Sequence, residues 1–264
     1  MPPVWWNEIR KQADRPPATP RVALAIDGHE VGSVAAPLLA ALCRADLPLT
    51  VAPGGTRATV RGAGSAALRE IADWLRANGH AGRWRDELLA VRAAGRGPAL
   101  AVVERGVARN LGLATWAVQL HARDPDHGGW WLQQRALDKA TDPGRWDTVT
   151  GGLVAAGESV AQALERESWE EAGVRLAALA TPPRDAGRFT VRRPVADSGT
   201  HGFMVETVHA FACSLDAGQV PVNRDGEVLR FDTFCDGRID ALVADGALTL
   251  EAAVAVALCR GVRA

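Results

Sequence analysis

Gly151-Gly-Leu-Val-Ala-Ala-Gly-Glu158-Ser-Val-Ala-Gln-Ala-Leu-Glu165-Arg-Glu-Ser-Trp-Glu170-Glu-Ala-Gly173-Val174 encodes one helix together with both of its boundaries. Ser159 with Gln162 forms a capping-box pattern, in which the hydroxyl and the side-chain amide reciprocally satisfy free backbone groups of the first turn. Gly173 suits the left-handed position that stops a helix. Successive residues turn by roughly 100°, so Glu167, Glu170 and Glu171 fall within about 100° of one another. Like charges at this spacing destabilise an isolated helix by a few tenths of a kcal/mol per pair. The glutamates alone read as a solvated acidic face; as a cluster they call for a cation. Arg166, four residues before Glu170, neutralises one carboxylate, and a hard divalent cation, which accepts several oxygens at once, suits the set. Ala161, Leu164, Ser168 and Ala172 lie on the adjoining face, which is predicted to pack on a sheet.

On either side of this helix the texture is strand, turn, strand. Upstream, Thr115 to Ala122 and Trp130 to Arg135 are strands joined through the Asp124-Pro125-Asp126 turn, and Asp142-Pro143-Gly144 is a further turn. Downstream, an irregular stretch from Thr181 to Thr200 precedes strands at Val205 to Leu215 and Val228 to Phe231. Two helices close the chain, Ile239 to Ala244 and Leu250 to Arg260, the second capped by Thr249. Residues 113–264 thus form one unit. Before it, residues 21–112 read as a smaller α+β domain: a hairpin turning at Asp27-Gly28, helices from Pro37 to Arg44 and Ala66 to Ala77, short strands at Leu47 to Val51, Arg57 to Arg61 and Leu88 to Val91, and a helix from Pro98 to Leu111. Residues 1–20 are an arm whose Arg15-Pro-Pro-Ala-Thr-Pro20 segment is a stiff non-helical linker. Its Trp5 and Trp6 are expected to pack against the body or a second subunit, with a disordered tail as the alternative.

The whole chain narrows the functional classes. Its 264 residues suit one large or two modest domains, and 47% apolar with 23% charged residues is ordinary globular composition. Thirty basic and 31 acidic side chains leave a net charge of -1, so no chain-wide field favours nucleic acid. Cys43, Cys213, Cys235 and Cys259 lie far apart without metal-ligand spacing, and are read as buried free thiols of a reducing cytoplasm. No run of about eighteen apolar residues signals a membrane span, and the N-terminus lacks an export pattern. Lysine occurs only at Lys11 and Lys139 in an arginine-biased chain.

Read as G-x5-E-x7-R-E-U-x-E-E-x-G-U, with U a bulky aliphatic residue, the opening segment matches at Gly152, Glu158, Arg166, Glu167, Glu170, Glu171, Gly173 and Val174. That pattern resembles the Nudix box. The one departure is Ser168, where an aliphatic residue is usual; it points to the packing face, and slightly poorer packing is the expected result. The resemblance covers roughly residues 113–264 and implies a mixed sheet sandwiched between helices. It implies Mg²⁺, with Mn²⁺ as an alternative, held by Glu167, Glu170, Glu171 and the carbonyl of Gly151. Arg166 is implied to orient one ligand by a salt bridge and Glu158 to support the helix. It also implies a small-molecule diphosphate substrate, phosphate binding by Lys139 with Arg135 as a second candidate, and a general base, for which Glu227 is preferred over Asp225.

Three patterns, Ile26-Asp-Gly-His-Glu-Val-Gly-Ser-Val34, Lys139-Ala-Thr-Asp-Pro-Gly-Arg-Trp-Asp147 and Asn223-Arg-Asp-Gly-Glu-Val228, look like a subgroup with an extra N-terminal α+β domain, similar to the Nudix part of fungal thiamin pyrophosphokinase fusions. That likeness implies cleavage of thiamin diphosphate, or of its oxidised analogues, to the monophosphate and phosphate. The chain has Gln119 and His121 where that subgroup often shows a His and an Asn. Trp116, Trp130, Trp131 and Trp146 are candidates to stack on an aromatic substrate. The competing readings are another diphosphate-linked nucleoside substrate and a non-catalytic Nudix module that binds a ligand or regulates. For the N-terminal domain two roles are open, covering the cleft or mediating a homodimer.

Overall fold

Strand alternation and turn chemistry lay out the N-terminal half. The computed structural model describes residues 2–139, 141–196 and 202–263. It begins with α1 (Trp6–Ala13), β1 (Arg21–Ile26) and β2 (His29–Ala35). Asp27 and Gly28, at φ of 48° and 81°, make the two-residue turn of this hairpin, which needs left-handed backbone at both positions. α2 (Ala36–Arg44), β3 (Leu49–Val51), β4 (Arg57–Val60) and α3 (Gly64–Ala77) follow. The strands form a sheet in the order β2-β1-β4-β3. Leu68, Ile71 and Leu75 of α3 and Leu38 and Leu42 of α2 fill a core with Leu24 and Ile26 that extends to Leu113.

Of residues 98–111, expected as a helix, 98–104 instead belong to β6 (Arg96–Glu104), which pairs antiparallel with β5 (Leu88–Ala93), and a single 3-10 turn at Arg105–Val107 follows. The hairpin turns at Ala94 and Gly95, both at positive φ. Alternate burial of Ala101 and Val103 shows a period of two. Pro98 is tolerated because this two-stranded sheet has edges on which an N–H is dispensable.

The C-terminal half is a seven-stranded mixed sheet. Its strands are β7 (Ala114–Arg123), β8 (Trp130–Arg135), β9 (Trp146–Thr148), β10 (Thr150–Leu153), β11 (Arg184–Val195), β12 (Gly202–Ser214) and β13 (Val228–Phe234). The central order is β11-β12-β7-β8-β13, with β10 on β7 and β9 on β8. β7 and β12 run parallel and the other pairs antiparallel. Helix α4 (Val160–Ala172) covers one face through Ala163, Leu164 and Ala172 against Val118, Leu120 and Ala122. The other face meets α5 (Asp236–Ala244) and α6 (Leu250–Cys259), whose Ala252 to Leu258 are all buried. The architecture is therefore α+β, with a mixed sheet between helices, as expected.

Two expectations, for residues 181–200 and for the burial of the cysteines, need correction here, whereas the arm packs on the body as one of its readings had it. Part of the stretch 181–200 is the long strand β11, bulged near Gly187 and paired along β12; its position at the sheet edge accommodates Pro194. Residues 197–200 lie outside the described residues. The arm contains a helix, and its Trp6, 3% exposed, packs edge-on against Phe189 at 5.7 Å, so the first residues of the chain join the C-terminal core. Cys43 and Cys235 are exposed, whereas Cys213 and Cys259 are half-buried; all are free. Among the described residues no helix is long and apolar enough to cross a membrane.

Candidate active site

Helix α4 is fixed at both ends. Ser159 Oγ accepts from Gln162 N at 3.2 Å, and Gln162 Oε1 accepts from Ser159 N at 2.9 Å. Gly173, at φ 65°, closes the helix. Packing turns the helix so that Ala163, Leu164, Ser168 and Ala172 are buried, while Ala161 is exposed. Ser168 is completely buried and its hydroxyl has no partner among the described residues. A buried, unsatisfied hydroxyl costs about 1–3 kcal/mol.

This rotation carries Glu171 into the protein, where it is 2% exposed and accepts from Gln133 Nε2 (2.9 Å), Thr150 Oγ1 (3.1 Å) and Gly151 N (2.9 Å). Burial, reinforced by the charge of Glu167, pushes the Glu171 carboxyl up to about 8, against the opposing charge of Lys139. Burial likewise raises Glu167. Burial thus disfavours the ionised form of two neighbouring carboxyls, and a further positive charge beside them would favour it.

Gly152 makes room for Glu167 and Gly151 for Gln119. A β-carbon on Gly152 would lie 2.0 Å from Glu167 Oε1, and one on Gly151 would lie 2.3 Å from Gln119 Nε2. Arg166 then organises the outer carboxylates. Its Nε meets Glu158 at 2.7 Å, Nη1 meets Glu167 at 2.7 Å and Glu170 at 3.2 Å, and Nη2 donates to the Leu153 carbonyl at 3.1 Å. Hydrogen bonding to Glu158 and the charge of Glu167 keep the guanidinium protonated. Glu158 also accepts from Ala155 N, tying the loop to the helix.

Glu167, Glu171, Gly151 and Gly152 line one cavity, joined there by Gln119 and Glu227. Glu170 is half-exposed on Arg166 and lies outside that lining. Carboxylate oxygens of Glu171, Asp225 and Glu227 come within 4.8 Å of one another. Glu227 is gripped by Lys139 and by Arg85, whose Nη1 is 3.5 Å away. Burial works to raise the Glu227 carboxyl, but the hydrogen bond and charge of Lys139, with the charges of Arg85 and Arg105, hold it below the usual range.

Arg135 also lines the cavity, but its donors are engaged: Nη1 with Asp147 at 3.1 Å, Nε and Nη2 with the Thr141 carbonyl. None of Trp116, Trp130, Trp131 and Trp146 lines the cavity. Trp116 stacks under Arg92, Trp130 on His121, and Trp146 against Phe234, while Trp131 joins the α4-side core. His121 is fully buried, and burial pushes it down to about 3.

The all-oxygen donor set, the disfavoured charges of Glu167 and Glu171 and the glycine cradle fit a hard divalent cation. Gln133 and Thr150, which position Glu171, and Arg85 and Arg105, which reach the cavity from the N-terminal half, were not singled out by spacing. They lie on separate strands and loops, and no local period links them to the box.

Residues 114–238 match the NUDIX domain family. This segment is a Nudix domain. An uncharacterised Nudix hydrolase of Pseudomonas aeruginosa is 46% identical over 63 residues, covering 24% of this chain and 35% of that protein. The chloroplastic Nudix hydrolase 24 of Arabidopsis thaliana is 30% identical over 149 residues, covering 56% of this chain and 40% of that protein. The chain thus spans less than half the length of these curated relatives. Among solved structures, an Ap4A hydrolase of Caenorhabditis elegans is 18% identical, with 56% of this chain and 94% of that one covered at a TM-score of 0.40. Members of the Nudix hydrolase family hydrolyse diphosphate linkages in nucleoside diphosphate derivatives, generally with divalent metals.

Proposed function

We propose that the protein is a Mg²⁺-dependent pyrophosphohydrolase acting on a small-molecule diphosphate, and that thiamin diphosphate or an oxidised analogue is its substrate. The observation that carries the reaction class is the burial of Glu171 beside Glu167 in a cavity whose Gly151-Gly152 wall leaves no space for side chains. Glu167 and Glu171 would hold the cation, with the Gly151 carbonyl and, by resemblance, Glu170. When bound, such a cation would supply charge neutralisation for the diphosphate and a lowered pKa for a water molecule. Arg166 fixes the Glu167 carboxylate. Glu227 is the general base, and its lowered pKa keeps it ionised at neutral pH at the cost of basicity. Lys139, already beside Glu227, contacts the substrate phosphates, and Arg135 chiefly orders the loop through Asp147 and Thr141.

The substrate rests on the three sequence patterns at residues 26–34, 139–147 and 223–228. The N-terminal half reaches the same cavity, which supports cleft covering over a role confined to dimerisation. Purified protein is tested for phosphate release from thiamin diphosphate, its oxo and oxy analogues and nucleoside diphosphates, with and without Mg²⁺. Mg²⁺-dependent turnover with preference for the thiamin series is expected. Binding without turnover across the panel would make the domain a ligand-binding module, and preference for nucleosides would replace the substrate.

A further inference from the structure

Two arginines from the N-terminal half enter the cavity from one pinned junction. The Glu104 carboxylate, 6% exposed at the end of β6, accepts from Arg85 N at 2.9 Å and from Gly106 N at 3.3 Å. Arg105 N donates to the Glu87 carbonyl at 2.8 Å and Gly82 N to the Gly106 carbonyl at 2.8 Å, so residues 82–87 and 104–106 are laced together. A β-carbon at Gly106 would lie 3.0 Å from the Arg83 carbonyl, which shows how closely the two segments approach.

The donors of these arginines are differently committed from those of the Nudix domain. Arg166 and Arg135 spend all three guanidinium nitrogens on protein acceptors. Among the described residues, Arg85 makes one side-chain contact, to Glu227 at 3.5 Å, and Arg105 makes one, to Glu87 at 2.6 Å. A guanidinium has five N–H donors in a planar fork, so each retains most of its capacity in a cavity shared with Glu167 and Glu171. The charge of Arg105 is also felt at Glu167, Glu206 and Glu227.

We infer that Arg85 and Arg105 form a phosphate-binding subsite, supplied by the N-terminal half and pre-set by Glu104, for the phosphoryl group of the diphosphate that is not clasped by the Nudix helix. The inference rests on the diphosphate reading above. Fork-shaped donors match phosphate oxygens in pairs, and two arginines on a rigid support lose little freedom on binding. The N-terminal half is thus part of the substrate site.

The test uses the full chain and methylenediphosphonate, a diphosphate with an uncleavable bridge, titrated calorimetrically with Mg²⁺, beside steady-state kinetics on the best substrate. Arg85→Gln and Arg105→Gln are each expected to weaken methylenediphosphonate binding about tenfold or more and to raise KM similarly, with kcat changed much less and Tm preserved. Lys at either position should restore part of the affinity. Glu87→Gln separates this role from mere cross-linking: a phosphate subsite keeps or gains affinity when Arg105 loses its internal partner, whereas a structural strut loses it as Arg105→Gln does. Unchanged affinity in both arginine variants, or equal loss in Glu87→Gln, overturns the subsite. A wild-type protein that binds methylenediphosphonate through these arginines yet turns over no diphosphate overturns the hydrolase reading and leaves the subsite standing.

Discussion

Gly152 and the Glu167 carboxylate compete for the same space: a β-carbon on the glycine falls 2.0 Å from Glu167 Oε1 and 2.1 Å from its Cδ. The clash is with the far end of a flexible side chain, so Gly152→Ala should leave the fold intact and swing Glu167 out of place. We expect Tm within a few degrees of the parent and activity reduced about tenfold to a hundredfold, with the Mg²⁺ activation constant raised. Unchanged Mg²⁺ activation in a folded Gly152→Ala protein would remove Glu167 from the ligand set.

Glu171 sits deeper, with three donors turned on one carboxylate oxygen. Glu171→Gln keeps the volume but removes the negative charge, and an amide nitrogen in that position would oppose those donors. Turnover is expected to fall by at least about a hundredfold while far-UV circular dichroism is preserved. Glu170→Gln belongs in the same assay, and a loss of similar size would show that Glu170 leaves Arg166 during the reaction.

His121 links stability to pH. Its ring is fully buried, stacked on Trp130 at 4.1 Å, and neither ring nitrogen has a partner among the described residues. Burial, aided by the charge of Arg260, depresses it from 6.5 to about 3, so the unfolded chain binds its proton first as pH falls. Stability from this group is therefore complete above about pH 6.5 and declines progressively toward about pH 3, by a few kcal/mol in all. His121→Phe should flatten this part of the Tm-versus-pH curve; an unaltered slope would place the acid sensitivity elsewhere.

The thiols should divide in two classes. Burial pushes Cys213 and Cys259 up to about 12, leaving them protonated and slow, whereas Cys43 and Cys235 are exposed. Titration of the native protein with a thiol reagent should show two fast and two slow sites, merging on denaturation. Four fast sites would contradict the packing of α6 against the sheet.

Much of the fold and of the site was legible from short-range pattern. The capping box, Gly173, the hairpin turn at Asp27-Gly28 and the cap at Thr249 each act over a few residues, and the structure places them as read. Residues 98–111 misled because proline followed by small and branched apolar residues opens a helix as readily as it lines an edge strand. Pairing with Leu88–Ala93, a tertiary event, decided between them. The tryptophans misled for a similar reason, since proximity in sequence to the box says nothing about which face of the sheet a ring occupies.

By itself the sequence determined the acidic helix, its ends and the clustering of its glutamates, because a helix converts spacing directly into angle. The tertiary structure alone decided that Glu171 is buried on Gln133 and Thr150, that Glu170 stays with Arg166, that Arg135 is spent on its own loop and that Arg85 and Arg105 reach the cavity. Burial and the pairing of charges depend on which distant strands and loops meet, and no local period encodes that meeting.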